Sequence, residues 1–397
     1  MKPTSRFMTW SITAMAMTIG LYRPVAADDS LRVTLLGQSL IKVDMRVVAP
    51  GSIEQSKNYL PKDSVIFTNL EVAVAPPNIA VVKRVPSVQH IGPEVLDSLS
   101  DMGIQLLALS NNHALDLGVP GLLATIDELD VRGIAHAGAG EDLAAALAPG
   151  VLNRPEGRYA LIGIASGGIQ LSPQTWAEPQ QAGVNFLEVS EDGSLNPVQH
   201  QRIIDAIRAA AQENDLLIVY HHNHYWGGAG AEPGPPLREA RAQRFETPNW
   251  MRSFGREVID AGAAIYVVHG NPALHGIELY KGRPLFYGLG NYIFHAASHP
   301  DRFGPLAYQS AAVEVEFAPS KILSEIRITP LLLTLADSEY GPRGTPYLAP
   351  SGDAEAILQR VAQLSHAYGT SILLEGREGV IRPSAEASSP AVMPAHD

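Results

Sequence analysis

Five apolar runs in this chain end in side chains that can bind a metal, accept a proton or hold an anion. The run Leu106 to Leu109 ends in Asn111, Asn112 and His113, with Asp116 close behind. An earlier run ends in Gly37-Gln38-Ser39, and the next carries Asn69 and Glu71. A fourth closes on His221, His222, Asn223 and His224, and a fifth on His269, Gly270 and Asn271. Imidazole, carboxylate and amide oxygen together make a plausible ligand set for a divalent ion. Each group alone has a simpler role. Asn111 and Asn69 can hold a turn through their own backbone, Glu71 can sit in a surface ion pair, and Gln38 can satisfy a buried loop amide. The histidines resist that reading. The chain has 13 histidines in 397 residues, yet three fall at positions 221, 222 and 224, directly after a buried run. In an extended segment His222 and His224 share a face. Tyr225 and Trp226 follow, suited to stacking on a ligand or to covering the site.

The runs that position these groups read as strands: LRVTLLG at 31, SVIFTNLEV at 64, IQLLALS at 104, RYALIGIAS at 158, DLLIVYHH at 215, AAIYVVHG at 263 and PLFYGLGNYIF at 284. AAVEVEF at 311 and ILSEIRITPLLLTL at 322 alternate, as half-exposed strands do. Helical stretches lie between them. Asn196 with Pro197, and Thr247 with Pro248, read as an N-cap followed by a first-turn proline, and Asp353 to Tyr368 reads as a late helix. Strands alternating with helices imply an α/β domain, in which ligands bind outside the carboxyl ends of the strands. Five strand ends therefore point to one rim. Two irregular stretches, from about Gly167 to Asn196 and from Trp226 to Phe245, read as lids or insertions.

A hydrophobic content of 46% against 18% charge predicts a packed core. The net charge of −12 argues against nucleic acid as a partner, because neutralising phosphates takes a basic surface. Without cysteine there are no disulfides and no thiolate zinc site. Residues 1–27 read as a signal peptide: Lys2 and Arg6, an apolar stretch from Met8 to Leu21, then Val25 and Ala27 before a cut at Asp28. The expected location is secreted or periplasmic, or N-terminally anchored in a membrane if the leader is retained, with no other transmembrane segment. The expected organisation is one domain over 28–340, a C-terminal helical extension over 341–382, and a polar, Pro-rich tail over 383–397.

The segments FTNLEV, LLALSNNHALDLGVPGLLATIDELDVRGIAHAGAGEDLAAA and GIELYKGRPLFYGLGNYIFH, in matching order over roughly residues 32 to 297, resemble the CapA family of poly-γ-glutamate capsule biosynthesis proteins. The resemblance implies a calcineurin-like metallophosphoesterase fold, with two mixed β-sheets packed as a sandwich, helices outside, and metal beyond the strand ends. By position it implies that Asn112 binds metal and that His113 stabilises developing charge. Asn69 and Glu71 match the family's Asn-Leu-Glu strand. His222 or His224 matches the next histidine, His269 a later one, and Asn291 the Asn of a Leu-Gly-Asn turn.

Two departures stand out. Gln38 occupies the place of a metal-binding Asp, and Asn271-Pro272 falls where a second His is usual. His275 lies a few residues on, out of register, and Asp44 is a candidate to replace the lost carboxylate. The expectation is a site for one or two ions of Mn, Fe, Zn or Mg. Gln38, Glu71, Asn112, His222, His224 and His269 are candidate ligands, and His113 and Asn112 the catalytic pair. Asn69, Asn111, His221, Tyr225, His275 and Asn291 are candidates for substrate binding. The substrate class is a phosphoester or an anionic polymer handled with capsule or envelope synthesis machinery. The competing expectation is a polymer-binding, export or retention protein without catalysis.

Overall fold

A strand covered on both faces needs an unbroken apolar run, and one covered on a single face needs alternation. Leu216–His222 and Val65–Leu70 are buried along their whole length, whereas Leu323–Leu333 alternates between buried and partly exposed positions. The structure, a computed structural model, describes residues 30–74, 76, 79, 89–167, 175–224, 245–295 and 304–383. The expected signal peptide, Tyr225, Trp226 and the tail beyond Pro383 lie outside these residues.

Two large sheets account for most strands. A ten-stranded sheet runs in the order Leu373–Glu375, Glu378–Ile381, Leu323–Leu333, Gln309–Phe317, Leu31–Leu40, Val65–Leu70, Ile104–Ala108, Ala135–Ala137. Asn291–Phe294 pairs with Leu31–Leu40, and Pro346–Leu348 with Leu323–Leu333. The half that includes Leu31–Leu40, Val65–Leu70, Ile104–Ala108 and Ala135–Ala137 is parallel, which brings their carboxyl ends to one edge. A seven-stranded sheet runs Phe186–Leu187, Gly157–Ser166, Leu216–His222, Ile265–His269, Arg283–Phe286, Ile277–Tyr280, with Gly150–Arg154 paired to Gly157–Ser166. Leu216–His222 and Ile265–His269 are parallel neighbours, with His222 opposite His269. One hydrophobic cluster takes Val33, Leu35, Phe67 and Val313 from the first sheet and Leu161, Ile218, Tyr220 and Val267 from the second. Helix Asn249–Asp260 and helix Pro197–Glu213 pack on the second sheet through Met251, Phe254, Ile203 and Ile207.

Several local expectations are corrected. The run at 284 is two strands, Arg283–Phe286 and Asn291–Phe294, which the turn at Gly288–Gly290 sends to different sheets. The stretch from Gly167 to Asn196 contains the short strands Gly183–Val184 and Phe186–Leu187. Asn196 caps its helix by accepting from the Val198 and Gln199 N–H groups. Thr247 does not cap; its hydroxyl accepts from Tyr368, and Pro248 takes the cap position. Residues 341–382 are not a helical appendage. Helix Ser351–His366 buries Ala354, Ile357, Leu358 and Val361 in the central cluster, and Glu378–Ile381 extends the large sheet.

The two sheets are tied where their strands end. The Gln38 side chain donates to Asn291 Oδ1 at 2.9 Å and accepts from the Gly270 N–H at 3.1 Å. Gly270 has φ +117°, and a Cβ there would lie 1.9 Å from the Asn223 carbonyl oxygen, so only glycine fits. Asp44, offered as a substitute carboxylate, serves elsewhere. It caps the short helix Met45–Val48, accepts from the Arg46 Nε and Nη2 and from the Ser98 hydroxyl, and has its pKa pushed down from 3.8 to about 2, chiefly by Arg46.

Truncating Gln38 to Ala leaves the buried Asn291 oxygen and the Gly270 N–H without their partner. We expect a stability loss of about 2–4 kcal/mol in chemical denaturation, and a loss below about 0.5 kcal/mol would show that the tie contributes nothing. Because the Asp44 pKa is depressed on folding, its contribution is full above about pH 4 and fades as pH falls toward 2. Asp44→Ala should therefore cost about 1–2 kcal/mol at pH 7, discounted for solvent screening because Arg46 is exposed, and much less at pH 2.5. Equal losses at both pH values in thermal melts would contradict this.

Candidate metal centre

Glu71 and Asn112 reach the site from the large sheet. Val65–Leu70 carries the chain to Glu71, whose N–H donates to the Ser39 carbonyl, and the carboxyl group is buried. With no full counter-charge, burial pushes its pKa up to about 7; His113 opposes that rise and Asp116 adds to it. Glu71 Oε2 has no hydrogen-bond partner among the described residues. From the second sheet come His222 and His224. The ligand atoms of Glu71, His222 and His224 all lie within 4.8 Å of one another, so these three residues could hold a metal ion. Asn112 Oδ1 lies 2.9 Å from His222 Nε2 and adds a neutral oxygen to the same place.

The imidazoles are kept neutral. Burial lowers the pKa of His222 well below 6.5, with His224 and the other nearby histidines adding to it, and burial with the His113 charge brings His224 to about 4. A neutral imidazole keeps a lone pair for a metal. His222 is held at both nitrogens, with Tyr220 Oη 2.9 Å from Nδ1 and Asn112 Oδ1 at Nε2. Asn112 Oδ1 can only accept, so the proton sits on Nε2. Moving it to Nδ1, where the Tyr220 oxygen accepts, frees Nε2 as a ligand atom.

His113 is set apart from the ligands. Its Nδ1 donates to Asp116 Oδ2 at 2.8 Å. Burial works to lower its pKa, but the Asp116 hydrogen bond and the charges of Glu71 and Asp116 outweigh this and raise it. The ring therefore takes up a proton more readily than an ordinary imidazole, beside the cluster.

The other candidates divide clearly. His221 points the opposite way from His222, as alternation requires. Its nitrogens pair with Tyr266 Oη at 2.5 Å and Ser166 Oγ at 2.6 Å, and its ring packs against Phe254 and Trp250, so it is a core residue and not a substrate contact. Asn111 is equally committed: Nδ2 donates to Asn69 Oδ1 and the Leu70 carbonyl, and Oδ1 accepts from the His113 N–H. It shapes the turn that presents Asn112 and His113. Asn291 gives its oxygen to Gln38 and its Nδ2 to the Ala307 carbonyl at 2.9 Å, which makes it structural. Asn69 is buried beside Gln38 in register and holds Asn111.

Gln38 is spent on Asn291 and Gly270 and is not a free ligand. His269 stacks on Phe67 and meets Tyr220 edge-on, with burial lowering its pKa to about 3, but it is outside the close set of three. His275 packs against Phe245 and Gly288, in the turn that precedes Ile277–Tyr280. Tyr220, Gln89 and Lys42 were not singled out from the sequence. Asp116 had a legible signal, its place three residues after His113. Gln89 had none, because it meets Asp116 only through the fold.

The family profile of the bacterial capsule synthesis protein PGA_cap matches residues 33–296. An uncharacterized protein of Sinorhizobium fredii is 28% identical, over 80% of this chain and 86% of that protein. A probable polyglutamine synthesis accessory protein of Mycobacterium tuberculosis is 29% identical over 70% of this chain and 64% of its own length. The PGA biosynthesis protein CapA of Bacillus subtilis is 29% identical over 51% of this chain and 45% of its own. A hypothetical protein of known structure from Thermus thermophilus aligns at a TM-score of 0.40 and 12% identity, covering 76% of this chain and 98% of that one, too distant to argue from. The profile spans the strands that supply Glu71, Asn112, His113, His222 and His224, and with that coverage the chain belongs to the PGA_cap family of bacterial capsule synthesis proteins.

Proposed function

We propose that this protein is an exported, metal-dependent hydrolase of capsule or envelope polymer metabolism, built as a metallophosphoesterase-type sandwich of two sheets. The observation that carries the reading is the buried set of Glu71, His222 and His224, with Asn112 against it and the His113–Asp116 pair alongside. One carboxylate, two neutral imidazoles and an amide oxygen suit a first-row divalent ion. When bound, such an ion supplies Lewis acidity to a phosphoryl or acyl oxygen and lowers the pKa of a nearby water.

The chain's own residues do the rest. The Tyr220 oxygen accepts the hydrogen bond of a proton placed on His222 Nδ1, which leaves the Nε2 lone pair facing the site. Asn112 Oδ1, released from the Nε2 proton, is a neutral oxygen donor at the same place. Asp116 holds His113 through Nδ1, and the raised pKa favours a proton on the ring that it can give to a leaving oxygen or nitrogen, or pair with developing negative charge. The substrate class is an anionic phosphoester or a γ-glutamyl polymer.

A second reading has its own support. Gln38 replaces a charged ligand with a neutral amide already bonded on both ends. That favours a single ion and a protein that binds or retains an acidic polymer without cleaving it.

The full-length protein, purified and mildly dialysed, should retain about one divalent ion per chain by elemental analysis, and His222→Ala should weaken that binding at least about 100-fold. Metal-free wild-type protein under metal-replete conditions would end the reading. His113→Ala should keep its metal but lose roughly 100-fold or more in Mn²⁺-dependent hydrolysis of phosphomonoesters, phosphodiesters or poly-γ-glutamate. Equal activity in both proteins would remove the catalytic role and favour polymer binding.

A further inference from the structure

Beside the metal-binding set stands a cation with no ion-pair role among the described residues. Lys42 follows the end of Leu31–Leu40 and is half-buried. No carboxylate of the described residues lies within ion-pair distance of its ammonium. Its Nζ donates instead to Gln89 Oε1 at 2.9 Å, a neutral partner. Gln89 is itself anchored: its N–H donates to Asp116 Oδ2 at 2.5 Å, and its carbonyl accepts from the Ala73 N–H at 3.0 Å. Asp116 holds His113. A chain of hydrogen bonds thus fixes Lys42 relative to His113, and the Lys42 charge is close enough to oppose protonation of that ring.

On its other side, the Lys42 N–H donates to His295 Nδ1 at 3.2 Å. That bond fixes the proton of the neutral imidazole on Nε2, a buried donor with no acceptor among the described residues. A half-buried ammonium held by an amide and not paired with a carboxylate of the described residues is placed to pair with an anionic ligand.

We propose that Lys42 seats an oxyanion of the substrate, a phosphate or a carboxylate, next to His113, with Gln89 as the residue that positions its ammonium. This inference rests on the metal-site reading above. It adds the positive charge that a protein of net charge −12 needs in order to take an acidic substrate. The alternative role for Lys42 is to balance the buried carboxyl groups of Glu71 and Asp116, and the two roles predict different losses.

The test uses the full-length protein with Mn²⁺ and isothermal titration calorimetry. One arm titrates inorganic phosphate, the other poly-γ-glutamate, and a separate titration measures Mn²⁺ itself. Lys42→Met should weaken the phosphate or the polymer by roughly 10-fold or more, and the arm that responds identifies the source of the oxyanion. Lys42→Arg should stay within about 5-fold of wild type, which guards against a folding defect in the Met variant, and Mn²⁺ affinity should be unchanged in both. Unchanged affinity for both ligands in Lys42→Met, or no binding of either by wild-type protein, would overturn the proposal. So would a loss confined to Mn²⁺, which belongs to charge balance. Failure of the wild-type protein to bind Mn²⁺ would count against the metal site, and the two ligand arms are read separately from it.

Discussion

Burying a carboxyl group without a full counter-charge is the constraint on which the rest of this site depends. Glu71 lies at the junction of two sheets, and its pKa is pushed up to about 7 by burial. Isolated in a low dielectric it would simply stay protonated. The surroundings pull in both directions. His113, whose own pKa is raised, favours the ionised form, while Asp116 opposes it. His222, His224 and His269 are held neutral by burial and give no charge of their own. The site is thus a patch of lone pairs and partial negative charge with one imidazole of raised pKa at its side. Such a balance is poor for stability alone, since an apolar replacement of similar volume would cost less. It is well suited to a divalent cation, whose charge would draw the Glu71 proton off.

The strand ends that build this patch were legible because parallel strands leave a simple signature. Unbroken apolar runs closing on His222, His269, Glu71 and the Asn111–His113 turn place polar groups where a parallel sheet has its open edge. The resemblance over residues 32 to 297 agreed with this independently and was matched by the family profile over 33–296. Period two also decided between neighbours. His222 faces the cluster, and His221, one residue earlier, is driven to the helix-covered side, where Tyr266 and Ser166 take both its nitrogens. The composition of the run showed the histidines; only the pairing of the strand showed which of them face the site.

Amides were the harder class to read. Gln38, Asn111 and Asn291 have the same chemistry as Asn112, and sequence position alone made all four candidates for contact with a ligand. In the structure the first three spend their oxygens on N–H donors of the chain itself: Gln38 on Gly270, Asn111 on His113, Asn291 on Gln38. Asn112 alone turns its oxygen to a metal-capable histidine. Nothing in local spacing separates these outcomes, because the partners are 2, 110, 232 and 253 residues away. The same limit hid Gln89 and Lys42. The C-terminal segment is a related case. Its helix and edge strands look detached in sequence, yet the central cluster needs Ile357, Leu358 and Val361 to close one side.

The Gln38 tie shows how a departure from the family pattern can be a structural gain and a chemical loss at once. A carboxylate at this position would face the Asn291 oxygen and would have to accept where Gln38 donates, so a charged ligand and this tie exclude each other. With Gln, the amide satisfies an acceptor on one strand and a donor at the end of the second sheet, and it brings no charge to be desolvated. The first strand thereby stops contributing to the negative potential of the patch. What remains is the Glu71 carboxyl group, with its pKa raised to about 7, and the His113 ring, with its pKa raised by Asp116 and Glu71. The amide at Gln38 thus serves the join between the two sheets, and the metal-capable set rests on Glu71, His222 and His224.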